Sequence, residues 1–135
     1  MKVIVDTCVW SLALRRSRGP VPTEARELQE LIQESRAILL GPVRQELLSG
    51  VRDTSQYETL RLKLRGFPDV QLLLEDYERA AQHFNFCRAG GIQGSNTDFL
   101  LCAVSQRLES PIFTTDGDFQ HYAKMLPLAL HHSKL

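Results

Sequence analysis

Several protein classes need features that this chain has little of. Its cysteines are three, Cys8, Cys87 and Cys102. The number is odd and no two stand in C-x-x-C spacing, which excludes a disulfide scaffold and a zinc or redox site of that type. Free thiols packed as small hydrophobes are expected, as in a reducing cytosol. There is no excess of charge either: 16 basic and 16 acidic side chains give a formal net charge of zero. A plain nucleic-acid coat protein would be basic, whereas a site that collects carboxylates lowers net charge without removing a basic rim. No apolar run approaches the roughly 20 residues that span a bilayer. The apolar run Val3-Ile4-Val5 starts too early for a leader peptide and is cut by Asp6. A soluble, cytoplasmic protein without membrane contact is expected. No histidine has an evident catalytic place: His83 falls mid-helix, and His121, His131 and His132 come late in the chain.

What is present is an alternation of short β-branched runs with helical patterns. Residues 2–5 read as a buried strand, residues 9–14 as a short helix, and residues 15–20 as a basic loop. Pro22-Thr23-Glu24 opens a second helix with Leu28, Leu31 and Ile32 on one face. Residues 37–40 predict a strand that Gly41-Pro42 ends, and a helix carrying Val43, Leu47 and Leu48 follows. Asp53 or Thr54 caps a helix through Leu64. Residues 70–73 predict another short strand, and residues 76–88 a helix. A glycine-rich loop over 90–95 leads to an apolar helix capped by Asn96 or Thr97. Residues 111–115 predict a strand, Asp116-Gly117-Asp118-Phe119 a turn, and the following residues a helix to about Met125. Residues 127–130 predict an edge strand. Strands alternating with helices imply a mainly parallel sheet joined by crossovers. With no repeat, linker or low-complexity tract, the expectation is one α/β domain over 1–135, a three-layer α/β/α sandwich.

In open parallel sheets, ligands bind outside the C-terminal strand ends. Asp6 follows the first strand and Asp116 follows the strand over 111–115, so both point to the same edge. Asp98 lies in the first turn of the apolar helix, where the helix dipole favours an acid, and that helix end meets the same crevice. Glu46 sits inside Val43-Arg44-Gln45-Glu46-Leu47. Singly, these are a turn former, a cap or a surface acid. Together they would repel one another and raise their own pKa values. A hard divalent cation with oxygen ligands removes that conflict, and such a site can activate water for in-line displacement at a phosphate.

The ordered motifs resemble a known family. Val3-Ile4-Val5-Asp6-Thr7-Cys8-Val9-Trp10 looks like the opening of a PIN domain. Pro42-Val43-Arg44-Gln45-Glu46-Leu47-Leu48-Ser49-Gly50 is similar to its second acidic motif, Asn96-Thr97-Asp98-Phe99-Leu100-Leu101-Cys102-Ala103 to its third, and Thr114-Thr115-Asp116-Gly117-Asp118-Phe119 to its fourth. The compact size is most similar to VapC-type toxins of bacterial toxin–antitoxin pairs. That resemblance implies an Mg2+-dependent endoribonuclease, with Mn2+ able to substitute, that hydrolyses RNA with a metal-activated water. It also implies a homodimer and a small VapB-like antitoxin that occludes the site. Carried over, Asp6, Glu46, Asp98 and Asp116 are the catalytic acids, with Asp6, Asp98 and Asp116 as metal ligands. Thr7 and Thr115 are candidate supporting donors. Asp118 competes with Asp116 for the fourth acidic role, a helix cap being its other reading. Arg15, Arg16 and Arg18 are candidate RNA contacts, and Arg61, Lys63 and Arg65 form a second basic cluster.

Three readings compete with a nuclease. A catalytically silent PIN-like scaffold that binds RNA or protein would not need all four acids. A phospho-acceptor receiver domain would want an acidic pair at the first strand and a lysine after the last, and neither is present. A haloacid-dehalogenase-like phosphatase would want a second acid two residues after Asp6, where Cys8 stands.

Overall fold

Val3, Ile4 and Val5 expose no surface at all, and they form the central strand of the sheet. The computed structural model describes residues 1–14 and 19–132. Strand β1 (Val3–Val5) pairs in parallel with β2 (Ala37–Ile38) on one side, Val3 opposite Ala37 and Ile4 opposite Ile38. On the other side lies β3 (Ile112–Phe113), also parallel, with Ile4 opposite Ile112 and Val5 opposite Phe113. The order is therefore β2-β1-β3. A continuous apolar strand is what a parallel sheet covered on both faces requires.

Parallel neighbours cannot be joined by hairpins, so every link is a crossover. Between β1 and β2 run α1 (Thr7–Leu14) and α2 (Thr23–Gln33). Between β2 and β3 run α3 (Gly41–Leu48), α4 (Thr54–Leu64), α5 (Leu74–Ala89) and α6 (Asn96–Leu108). Helix α7 (Asp118–Met125) closes the order. The result is the expected α/β/α sandwich. Helix α6 is its innermost helix: every residue from 99 to 105 is buried, as befits a helix that is apolar nearly all round. Helix α2 instead buries one face, including Ala25, Leu28 and Leu31.

Several boundaries differ from the sequence reading, each for a local reason. Residues 70–73 form no strand. The Gln71 carbonyl accepts from Arg107, and the Leu73 N–H donates to Asp76 Oδ2, so side chains take the groups that a ladder would need. Gly41-Pro42 does not merely end β2; it starts α3, with proline in the first turn where its missing N–H costs nothing. Strand β3 stops at Phe113, because the Asp116 N–H turns back to the Thr114 hydroxyl at 3.0 Å. The expected edge strand over 127–130 is reduced to one parallel bridge between Ile112 and Leu130. Its bonds run from Ile112 N–H to the Ala129 carbonyl and from His131 N–H to the Ile112 carbonyl. Asp53 caps α4, but the cap of α6 is Ser95, not Asn96 or Thr97. Gly117 holds the N-cap position of α7, and Asp118 is its first residue.

Two buried acids serve this framework, one bound to an arginine and the other to a histidine. Asp76, 2% exposed, receives two bonds from Arg107, at 2.8 and 2.9 Å. Glu27, 3% exposed, meets His131 Nε2 at 3.1 Å, which fastens the C-terminal segment to α2. Burial alone would push the Asp76 carboxyl up. The Arg107 bonds, the Leu73 N–H and the guanidinium charge outweigh it and hold the carboxyl below its ordinary value. Arg107→Ala leaves that charge buried and unpaired. Breaking a fully buried pair costs roughly 3–5 kcal/mol; with Arg107 partly exposed, a loss of about 2 kcal/mol is expected in urea unfolding. The loss should be full above about pH 4, the ordinary Asp value, and fade as pH falls through the lowered folded value. Arg61→Ala, which removes an exposed pair with Glu58, should leave stability at the parent value.

Candidate active site

The chain leaves β1 to one neighbour and later returns to the other, so the C-terminal end of β1 is the point where the strand order reverses. Ligands of open α/β sheets bind at such points. Asp6 stands there, 7% exposed, with its backbone N–H on the Phe113 carbonyl of β3 at 2.9 Å. Oδ1 accepts the Thr7 N–H at 2.8 Å and Oδ2 accepts the Thr114 hydroxyl at 2.8 Å. The Cys8 thiol lies 3.6 Å from Oδ2.

Two threonines connect Asp6 to its neighbours. Thr7 bonds Asp6 through its backbone and Glu46 Oε1 through its hydroxyl, at 2.7 Å. Thr114 donates to Asp6 and accepts the N–H of Asp116. Asp116 Oδ1 in turn accepts the Asp118 N–H at 2.9 Å, an Asx-type turn that starts α7. Asp98 enters from the first turn of α6, with its own N–H on the Ser95 hydroxyl at 3.1 Å. Its Oδ2 accepts the Tyr122 hydroxyl at 2.6 Å.

Asp98 belongs to the same electrostatic unit as Asp6 and Asp116. Burial pushes its carboxyl up; the Tyr122 and Ser95 bonds pull it down; the charges of Asp6 and Asp116 push it up again, and the net is upward. Among the described residues, every hydrogen-bond donor to Asp6, Glu46, Asp98 and Asp116 is neutral. The contrast with the Arg-paired Asp76 is the main electrostatic feature of the molecule.

The other candidates fall as follows. Asp118 is exposed at the start of α7, and its backbone, not its carboxylate, contacts Asp116. Thr115 contributes its N–H to Cys8 Sγ at 3.4 Å, and the hydroxyl that reaches Asp6 is that of Thr114. Arg15, Arg16 and Arg18 lie outside the described residues. In the second basic cluster, Arg61 is bound to Glu58, Arg65 is exposed, and Lys63 lines a hollow of 480 Å3 with Leu14 and Thr59. A second hollow, of 340 Å3, runs from Thr114 and Asp116 to Gln120, His131 and His132. Cys87 and Cys102 are buried, whereas Cys8 is half-buried and belongs to the site. Tyr122, Thr114, Ser95 and Cys8 were not among the sequence-derived site residues. A threonine two residues before an acid at a strand end is a usable signal; nothing in the order of residues joins Tyr122 to Asp98.

Among the described residues, no three His, Cys, Asp or Glu side chains form a ready-made metal cage. A magnesium-type ion needs less, since it is held by one or two carboxylates and keeps several waters. All-oxygen donors, mutual repulsion and the lack of a basic partner among the described residues are compatible with such an ion. Without metal, the raised carboxyl of Asp98 destabilises the fold at neutral pH. Asp98→Asn should therefore raise the melting temperature in EDTA by a few degrees. The gain should grow as pH rises from the ordinary carboxyl value through the raised folded one, and vanish below both. Scanning calorimetry across pH checks this.

The sequence matches the PIN domain family over residues 3–125. It is 29% identical over 129 residues to Ribonuclease VapC11 of Mycobacterium tuberculosis, covering 93% of this chain and 95% of that one. Among solved structures, it is similar to VapBC2 from Rickettsia felis bound to a promoter DNA fragment, with a TM-score of 0.73, 14% identity, and 97% and 98% of the two chains covered. It is also similar to FitAcB from Neisseria gonorrhoeae, with a TM-score of 0.72, 17% identity and 97% of each chain covered. The match spans the strand that carries Asp6, the helices that carry Glu46 and Asp98, and the turn that carries Asp116: the chain belongs to the PIN domain family.

Proposed function

We propose that this protein is a divalent-cation-dependent endoribonuclease and the toxin of a toxin–antitoxin pair. The observation that carries the reading is the contrast between its two kinds of acid. Asp76, which serves the framework, has a charged basic partner in Arg107. Asp6, Glu46, Asp98 and Asp116 gather at the switch point of the sheet and, among the described residues, have neutral donors only. Uncompensated negative charge disfavours the fold unless something positive completes it. Mg2+, or Mn2+ in its place, would be held by Asp6 and Asp98, with Asp116 contributing directly or through water. When bound, such an ion supplies Lewis acidity and makes water a nucleophile at neutral pH.

The chain's own residues fix that chemistry in place. The Thr7 N–H and the Thr114 hydroxyl hold Asp6 by both oxygens. Glu46, exposed and held by Thr7 through Oε1 alone, keeps Oε2 to orient water or take its proton. The hollow beside Asp116, with His132 on its wall, offers space for the chain of an RNA substrate. The relatives support the rest: one is named a ribonuclease, and the VapBC2 structure has a promoter DNA fragment bound. A homodimer and a small VapB-like antitoxin covering the crevice complete the proposal.

The test is cleavage of total RNA by the purified chain. Activity should require Mg2+ or Mn2+ and stop in EDTA. Asp6→Asn and Asp98→Asn should each lower it by about a thousandfold or more, the scale of losing a main electrostatic contributor, with circular dichroism unchanged. Full Mg2+-dependent activity in both variants would overturn the mechanism. Induced expression in bacteria should arrest growth with the parent chain and not with Asp6→Asn.

A further inference from the structure

Tyr122 exposes no surface, yet its hydroxyl ends on a carboxylate of the crevice. The bond to Asp98 Oδ2 is 2.6 Å, and Oδ1 of the same carboxylate has no hydrogen-bond partner among the described residues. The ring is fixed by its neighbours. It lies 4.8 Å from the Phe99 ring and 5.1 Å from the Phe119 ring, centroid to centroid.

Gly94 adds an independent observation. Its backbone is not in the left-handed region, so no dihedral angle demands glycine there. A Cβ at this position would instead run into the Tyr122 hydroxyl and the Phe99 ring. The loop before α6 thus carries a glycine where the tip of the phenol must fit. Loop, α6 and α7 meet around one hydrogen bond, and that bond ends on the only acid of the crevice contributed by α6.

We propose that Tyr122 is a positioning residue for Asp98, its hydroxyl engaging Oδ2 so that Oδ1 is the oxygen presented to a divalent cation. This rests on the metal-dependent reading above. A purely structural role is the competing account, since a buried phenol needs an acceptor in any case. The two accounts differ in what a cation would sense. An orienting partner changes metal affinity, typically by about tenfold or more when it is removed; a packing residue changes stability alone.

The experiment is calorimetric titration of Mn2+ into the RNA-free chain. Tyr122→Phe keeps the ring and removes only the oxygen. It should weaken Mn2+ binding about tenfold while circular dichroism stays that of the parent. Gly94→Ala, which leaves both partners chemically intact but takes the space of the phenol tip, should weaken it in the same direction. Phe119→Leu loosens the same ring cluster without touching the hydroxyl, and should lower the melting temperature with Mn2+ affinity within about twofold of the parent. Equal affinity in Tyr122→Phe and the parent overturns the proposal, as does a loss in Phe119→Leu as large as that in Tyr122→Phe. Should Tyr122→Phe fail to fold, Gly94→Ala decides by the same measure. A parent chain that binds no Mn2+ overturns the metal reading itself, and the role of Tyr122 with it.

Discussion

Mutual repulsion of carboxylates is the constraint around which this molecule is arranged. The Asp98 carboxyl is pushed up first by its burial and then by the charges of Asp6 and Asp116. Each is approached by uncharged donors: a backbone N–H, a threonine hydroxyl, a phenol. Neutral donors hold geometry without cancelling charge. An arginine in their place would settle the repulsion, as Arg107 does for Asp76, and would leave nothing for a cation to complete.

Holding repelling groups together requires a stiff support. It comes from β1, buried on both faces and paired on both edges, and from α6, whose buried residues face the core in nearly every direction. The threonines do the finer work. Thr7 links Asp6 to Glu46 across 39 residues, and Thr114 links Asp6 to the loop of Asp116. A hydroxyl that donates to one group and accepts from another can bridge elements where a charged side chain would bias the site.

The fold was legible because its signals are local. A run of three β-branched residues as short as Val3-Ile4-Val5 favours an interior strand over a buried helix, and an acid directly after such a strand points to the ligand edge. Asp6 and Asp116 could be placed that way, and Asp98 by its position at the start of an apolar helix. Glu46 could not: its helix reads as an ordinary amphipathic one, and resemblance to a family pointed to it. Residues 70–73 had strand composition but no free backbone to pair, because Arg107 and Asp76 claim it. Tyr122 looked like one more core aromatic beside Phe119, since the contact that distinguishes it spans 24 residues and leaves no trace in local pattern.

The central position of β1 has a temporal meaning as well. Strand β1, made long before its second neighbour, waits for it: Ile4 pairs with Ile112, and Asp116 and Tyr122 come later still. Pairings so distant in sequence are slow to form, and folding during synthesis proceeds from the N-terminal side. An early segment, β1 through β2, can pair while the rest of the chain is still being made, but it carries only Asp6 of the carboxylate cluster. The crevice does not exist in any partial chain that lacks β3 and α7. Architecture thus acts as a timer: the carboxylate crevice is complete only once β3 and α7 have been made.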